Sequence, residues 1–134
     1  MGCDIHLHIE VKTENGWEHY ASPNFRRSYS LFEKMAGVRG DIENAISSPK
    51  GFPNDASYIT ERSYKSEVSY AHSVSWLNVK EINELSEWIQ SQPGDGLSND
   101  LEHGILHTYL EGNSFCGDFP DWIKDVRFVF WFDN

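Results

Sequence analysis

Four side chains near the start of the sequence have the types and spacing needed for metal or acid–base chemistry. Between residues 3 and 12, apolar residues alternate with Asp4, His6, His8 and Glu10. Strict alternation predicts a half-buried β-strand, in which residues two apart point to the same face. The four polar side chains should therefore form one row along that strand.

This row predicts a divalent metal cofactor, either zinc or manganese or magnesium. Residues two apart on a strand are separated by roughly 6.6 Å at Cα, and metal–nitrogen bonds of about 2 Å let two imidazoles meet at one ion. His6 and His8 are the predicted ligands, with Asp4 or Glu10 beside them. The whole row spans roughly 20 Å at the same rise, so further ligands must come from distant segments. The alternative is a solvated polar face.

Other histidines and arginines offer weaker signals. His103 and His107 are four apart on a predicted helix, which places both rings on one face, as metal ligands or as ordinary solvated side chains. His72 lies in a polar segment and could be a ligand, a general base or a surface residue. Arg26 and Arg39 are suited to bidentate binding of a phosphate or carboxylate, although ion pairs with nearby acids would also account for them.

Periodicity predicts an α+β fold, with a small antiparallel sheet and two to three helices packed on it, as a single domain over residues 1–134. Asn15-Gly16 is a strong hairpin signal after the first strand. The predicted strands are 3–12, 17–20 and a central C-terminal strand at 126–132, which is apolar on both faces. The predicted helices are 31–36, 79–90 and 100–110, the first with a Ser30/Glu33 capping box and the second with an Asn78/Glu81 box. Residues 56–72 show no clear pattern.

Composition narrows the classes of function. The formal charge of −10 disfavours general nucleic-acid binding, because phosphates must be neutralised by cations. Neither a signal peptide nor a membrane span is predicted. Two cysteines are too few for a disulfide scaffold, so two reduced thiols in a cytoplasm are expected.

Distinctive segments occur along most of the chain. It opens with Met1-Gly2-Cys3-Asp4-Ile5-His6, followed by Glu10 and a Gly-Trp hairpin. The later segments are Arg26 with Tyr29, Leu31 and Phe32; Ala36–Arg39; Gly51–Pro53 with Asp55; His72 with Ser75–Leu77; and Val126–Phe130 with Phe132–Asn134. Through these segments the chain resembles a family of small phage and bacterial proteins.

The resemblance implies a phage or prophage origin and no particular activity. The polar positions that belong to the shared pattern are Asp4, His6, Glu10, Arg26, Arg39, Asp55, His72, Arg127 and Asp133. His8, His103 and His107 are outside it. The resemblance therefore favours a cluster in which Asp4, His6 and Glu10 meet His72 across the fold.

Two functions from different classes fit these observations. The first is a metal-dependent hydrolase that acts on a phosphoester or another small anionic substrate. Its predicted site comprises the metal ligands Asp4, His6 and His8, the catalytic groups Glu10, Asp55 and His72, and the anion-binding groups Arg26, Arg39 and Arg127. The second is a non-catalytic phage-encoded binding protein, which could inhibit a host protein, imitate nucleic acid or sequester a small nucleotide as an anti-defence factor. The sequence leaves the oligomeric state and the role of His103 and His107 open.

Overall fold

The framework of the protein is a four-stranded antiparallel sheet, seen in a computed structural model that describes residues 2–24, 26–92 and 120–134. The strands are β1 (Asp4–Thr13), β2 (Gly16–Ala21), β3 (His72–Leu77) and β4 (Asp125–Asp133). The helices are α1 (Tyr29–Ala36), α2 (Tyr58–Glu67) and α3 (Val79–Ser91), with a short 3₁₀ turn at Ile42–Asn44. The predicted α+β class is confirmed.

The strand order is β2-β1-β4-β3, so β4 lies inside the sheet between β1 and β3. Asp4 pairs with Asp133 at one end of the β1–β4 ladder, and Lys12 pairs with Asp125 at the other. Every residue from Val126 to Phe132 is buried. A strand with apolar residues on both faces needs cover on both sides, and the predicted central position of the C-terminal strand is confirmed.

One face of the sheet packs against α1 and α3 to form the apolar core. The sheet contributes alternate residues of β1 and β4, which are Leu7, Ile9, Val11, Val126, Phe128, Phe130 and Phe132. The helices contribute Leu31, Phe32, Met35, Ile82, Leu85 and Ile89. These positions are the apolar residues of the strand and helix periods, so the pattern that predicted the elements also placed the core.

The opposite face is covered by α2 and by the segment before it. Trp131 on β4 meets the rings of Phe52 and Tyr64, with centroids 6.3 and 5.2 Å apart. Its indole N–H donates to the Glu67 carboxylate at 2.7 Å. Among the residues of α2, Thr60 alone is buried. The helix therefore lacks the periodic apolar residues from which a sequence pattern could predict it.

The helix ends show which capping predictions hold. The Asn78/Glu81 capping box is present at α3. The cap of α1 is instead Ser28, whose hydroxyl accepts from the Leu31 N–H, and the predicted Ser30 cap is wrong. Glu33 accepts from the Asp41 N–H at 2.6 Å. Gly37 ends α1 in the left-handed region at φ 77°, as predicted. The predicted helix at 100–110 lies outside the described residues.

Candidate functional site

The polar row of β1 faces α2 and the segment before it, and each member of the row has a different set of partners. At His6, Nε2 lies 2.6 Å from the Asp133 carboxylate, and Nδ1 lies 3.6 Å from that of Glu67. The ring stacks on Trp131 with a centroid separation of 6.0 Å. His6 is therefore held between two acids and an indole.

His8 belongs to a second cluster, toward β2. Its Nδ1 lies 3.1 Å from Nε2 of His19 and 2.8 Å from Oγ of Ser22. The same His19 nitrogen lies 2.8 Å from the Ser22 hydroxyl. Burial lowers the pKa of His8 to about 4, and the neighbouring His19 acts in the same direction. Burial also lowers the pKa of His19, so both rings are neutral at pH 7.

Glu10 forms the buried centre of a third cluster. Its side chain is fully inaccessible and accepts from Arg127 Nε and from the Ser57 backbone N–H, each at 2.8 Å. Arg127 Nη2 also lies 2.8 Å from Glu10 Oε1, but its direction is poor for a hydrogen bond, so the directional contact is made by Nε. Arg127 Nη1 donates to the Asp55 carboxylate at 2.9 Å. One guanidinium therefore joins two of the predicted catalytic acids.

The environment of Asp55 makes it a weak base. Partial burial raises its pKa, but the hydrogen bond and positive charge of Arg127 outweigh that effect and lower it.

Asp4 lies elsewhere, near the other end of β1, and accepts two hydrogen bonds from Arg27 at 2.7 and 3.2 Å. The Arg27 hydrogen bonds lower the pKa of Asp4 as well.

A cleft opens beside the Arg127 cluster. It has a volume of about 470 Å³, within the range of about 300–1,000 Å³ that small-molecule sites occupy. Trp17 and Trp76 contribute its aromatic surface, and it is lined as well by Pro53, Asn54, Asp55, Asn78, Asp125, Val126 and Arg127. The Arg127 guanidinium lies 4.0 Å from the centre of the Trp17 ring, and the Lys50 ammonium lies 3.9 Å from that of Trp76.

The structure does not bring His72 to the β1 row. His72 pairs with Phe132 and stacks on its ring at 6.1 Å, on the apolar-core side of β4. His6 pairs with Trp131, one residue away and therefore on the opposite face. The predicted meeting of His6 with His72 is wrong. The cause is the shifted register between His72 and Ser75, where Ser73 has a φ of 53°.

The predicted anion-binding arginines occupy separate places. Arg127 lines the cleft. Arg39 lies over the Tyr29 ring at 5.2 Å, next to α1. Arg26 is exposed in the connection between β2 and α1. A single pocket holding all three arginines is not formed.

The predicted metal ligands Asp4, His6 and His8 each contact a different group of neighbours in this structure. More generally, no three His, Cys, Asp or Glu side chains in residues 2–24, 26–92 and 120–134 are grouped to hold a metal ion. His103 and His107 lie outside these ranges.

Sequence reasoning missed several residues of the polar face. His19 and Trp17 are cross-strand neighbours of Glu10 and Lys12, and the Asn-Gly hairpin would have supplied this register. Ser22, Glu67 and Trp76 gave no comparable signal, because their positions depend on a bulge, an unpredicted helix and an unpredicted strand.

Comparisons with known proteins found no relative of this chain. No family model matches the chain, and neither a curated protein nor a solved structure is similar to it. Within the described part of the chain, no helix is both long and apolar enough to cross a membrane.

Proposed function

We propose that this is a non-catalytic binding protein that holds a nucleobase, or a small nucleotide, in the cleft of Trp17 and Trp76. The observation that carries the proposal is the arrangement of two indoles and a fixed guanidinium around a cleft of about 470 Å³. Aromatic surface with a few convergent polar groups is typical of small-molecule sites.

The polar groups of the cleft match the edges of a heterocyclic base. Asn54 offers a donor and an acceptor, and Asn78 offers its amide N–H donors, because its Oδ1 accepts from the Glu81 N–H in the α3 capping box. The Asp55 side chain is 59% exposed and can accept from a ring N–H. Base stacking on an aromatic side chain is worth about 1–3 kcal/mol, so either indole could supply a large share of the affinity.

Arg127 is preorganised in this arrangement. Its side chain is only 6% exposed and is held by Glu10 and Asp55. A group held rigidly before binding loses little conformational entropy when the ligand arrives. Its position over Trp17 also fixes that indole as part of the wall.

Binding accounts for the acids better than hydrolysis does. A general base must accept a proton from water or substrate near neutral pH. Glu10 is enclosed by Arg127 and Ser57, and the pKa of Asp55 is lowered. The hydrolase remains the competing hypothesis, and it requires one of these carboxylates to leave its partners.

The setting of the proposal follows from the sequence. The resemblance to phage proteins and the small number of cysteines favour action in the cytoplasm of a host cell, where sequestering a small nucleotide would oppose a nucleotide-signalled defence. The formal charge of −10 keeps long nucleic acids away. A single nucleotide carries much less charge and is repelled less.

The test is a titration with adenosine, guanosine, cytidine and uridine monophosphates, followed through the indole N–H signals in ¹H–¹⁵N NMR spectra. We expect saturable shifts of Trp17 and Trp76 with at least one nucleotide. Trp76→Leu should weaken binding about 10-fold or more, the value of one lost stacking contact. Trp122→Leu is the matched control, because Trp122 is exposed and lies outside this cleft.

Two results would reject the proposal. One is the absence of saturable shifts at millimolar concentrations of all four nucleotides. The other is turnover: hydrolysis of a nucleotide that is abolished by Asp55→Asn would establish the competing enzyme.

A further inference from the structure

We propose that His8 and His19 are the protein ligands of a transition-metal site, with the Ser22 hydroxyl beside them. This site is separate from the cleft and does not depend on the proposed function. It differs from the metal site predicted from the sequence, because His19 and Ser22 replace Asp4 and His6 as the partners of His8.

The geometry of three donor atoms carries the inference. His8 Nδ1, His19 Nε2 and Ser22 Oγ form a triangle with sides of 3.1, 2.8 and 2.8 Å. A tetrahedral zinc ion with bonds of about 2.0–2.1 Å separates neighbouring ligand atoms by about 3.3 Å. The triangle therefore needs little expansion to become one face of a coordination shell.

Strand geometry explains why these atoms converge. His19 pairs with Glu10, which places it on the same face of the sheet as His8. Between Ile9 and Glu10 the register shifts, so that β2 advances two residues while β1 advances one. This irregularity brings the segment after Ala21 alongside His8. Bulges commonly re-aim side chains next to functional sites.

The chemistry of the two rings points to a cation. A ring N–H has no lone pair, so a contact between two imidazole nitrogens requires at least one of them to be deprotonated. The deprotonated nitrogen carries the lone pair that binds a metal. A metal ion can occupy the position that the shared proton holds in the metal-free protein.

The surroundings hold one ligand rigid and leave the other reachable. His8 is 6% exposed, and its ring stacks on Trp131 with centroids 5.1 Å apart. His19 is half-buried and Ser22 is exposed, so an ion and its waters can enter from the side of β2. Ligands oriented by their neighbours bind metals more tightly.

The types of ligand atom determine which metals the site should prefer. Imidazole nitrogens suit zinc, copper and nickel, whereas magnesium and manganese prefer oxygen ligands. With two imidazoles and a neutral hydroxyl, water must complete the shell. We therefore assign the site to Zn²⁺, Ni²⁺ or Cu²⁺.

The experiment is calorimetric titration of untagged, chelator-treated protein with ZnCl₂, supported by NMR of the histidine side-chain nitrogens. Every arm carries His103→Ala and His107→Ala, because a histidine pair four apart could bind zinc separately. We expect one equivalent of zinc and a shift of the His8 Nδ1 and His19 Nε2 signals.

Three further substitutions test the assignment. His19→Ala should weaken zinc binding at least about 100-fold, and Ser22→Ala about 10-fold, by comparison with losses of supporting groups at known metal sites. His72→Ala should leave it unchanged, because His72 lies on the other face of the sheet. Circular dichroism of each metal-free variant checks that the fold is intact.

Three outcomes would overturn the proposal. They are no binding tighter than millimolar, equal affinities for the His19→Ala variant and its parent, or a loss on His72→Ala as large as that on His19→Ala. None of these results bears on nucleotide binding in the cleft, so the two proposals fail separately.

Discussion

The two faces of the central sheet are built from the same strands but held together in different ways. On the α1 and α3 side, β1 presents apolar side chains from Leu7 to Val11 and β4 from Val126 to Phe132, and Phe128, Phe130 and Phe132 are fully buried. On the α2 side, the same strands present His6, His8, Glu10, Arg127 and Trp131. The first face is stabilised mainly by apolar burial, whereas the second depends on pairing each polar group with a particular partner.

The loss of stability on substitution should therefore vary more from residue to residue on the α2 face. Apolar packing is non-directional, so a lost methyl group costs roughly its transfer energy plus a cavity. A buried charge that loses its partner cannot recover by relaxation, because its desolvation is no longer compensated. The two faces should therefore respond differently to paired substitutions, to changes of pH and to the loss of a helix cap.

The largest expected effect is on the Glu10–Arg127 pair. Arg127→Met should lower the free energy of unfolding by about 3–5 kcal/mol, because it leaves a buried carboxylate without its cation. Adding Glu10→Gln should restore a large part of that loss, since the amide oxygen still accepts from the Ser57 N–H while the charge is gone. Urea denaturation of the two single variants and the double variant measures this coupling.

Leu85→Ala is the control for that experiment. Leu85 is fully buried on the opposite face, and its truncation should cost about 3 kcal/mol through the cavity. Combining it with Glu10→Gln should give additive losses. A loss below about 1 kcal/mol for Arg127→Met, near the range of surface pairs, would mean that the two faces are not stabilised differently.

The second effect is a pH dependence that belongs to the α2 face. The folded protein holds the pKa of His8 at about 4, below its ordinary value of 6.5. The unfolded chain therefore binds the additional proton between these values, so stability is full above pH 6.5 and falls as the pH drops toward 4. The size of the fall is roughly 2–3 kcal/mol. His19, whose pKa is also lowered by burial, acts in the same direction within this window, whereas the carboxyl groups with lowered pKa values act below 4.5.

Urea denaturation between pH 4.5 and 7 in the presence of EDTA measures this slope. His8→Gln should reduce the slope and leave the part contributed by His19, and Leu85→Ala should lower stability equally at every pH. An unchanged slope in His8→Gln would assign the pH dependence to other groups.

The smallest effect separates two neighbouring serines of the α1 side. Ser28→Ala removes the N-cap of α1 and should cost about 0.5–1 kcal/mol. Ser30→Ala changes an exposed residue in the first turn and should be neutral or slightly stabilising, since Ala is the better helix former. Thermal unfolding of the two variants decides between them, and a larger loss for Ser30→Ala would favour the cap predicted from the sequence.

The same contrast explains how much the sequence could predict. Alternation in β1, the helical period of α3 and the two-sided β4 identified the elements around the apolar core, because each pattern repeats within one element. Even there the α1 cap was misplaced by two residues, since Ser28 and Ser30 are both acceptable caps. Within the described residues, α2 and β3 escaped prediction because neither has a clean apolar period.

The polar face was predicted as a row but not as a set of partners. Alternation correctly placed His6, His8 and Glu10 on one side of β1. Their partners come from β2, α2 and both ends of β4, and those pairings depend on register shifts that no local pattern reveals. The bulge beside Ile9 and the kink at Ser73 decided which histidine meets which.

The interior position of β4 has a consequence for the rate of folding. Where β1 and β4 pair, the side chain of His6 contacts that of Asp133, 127 positions away, so a very long loop must close before the sheet has its centre. Loop closure of that length is entropically unfavourable, and topologies dominated by distant pairings fold slowly. The β1–β2 hairpin is the part that can assemble early, and the other edge of β1 stays unpaired until the last strand arrives.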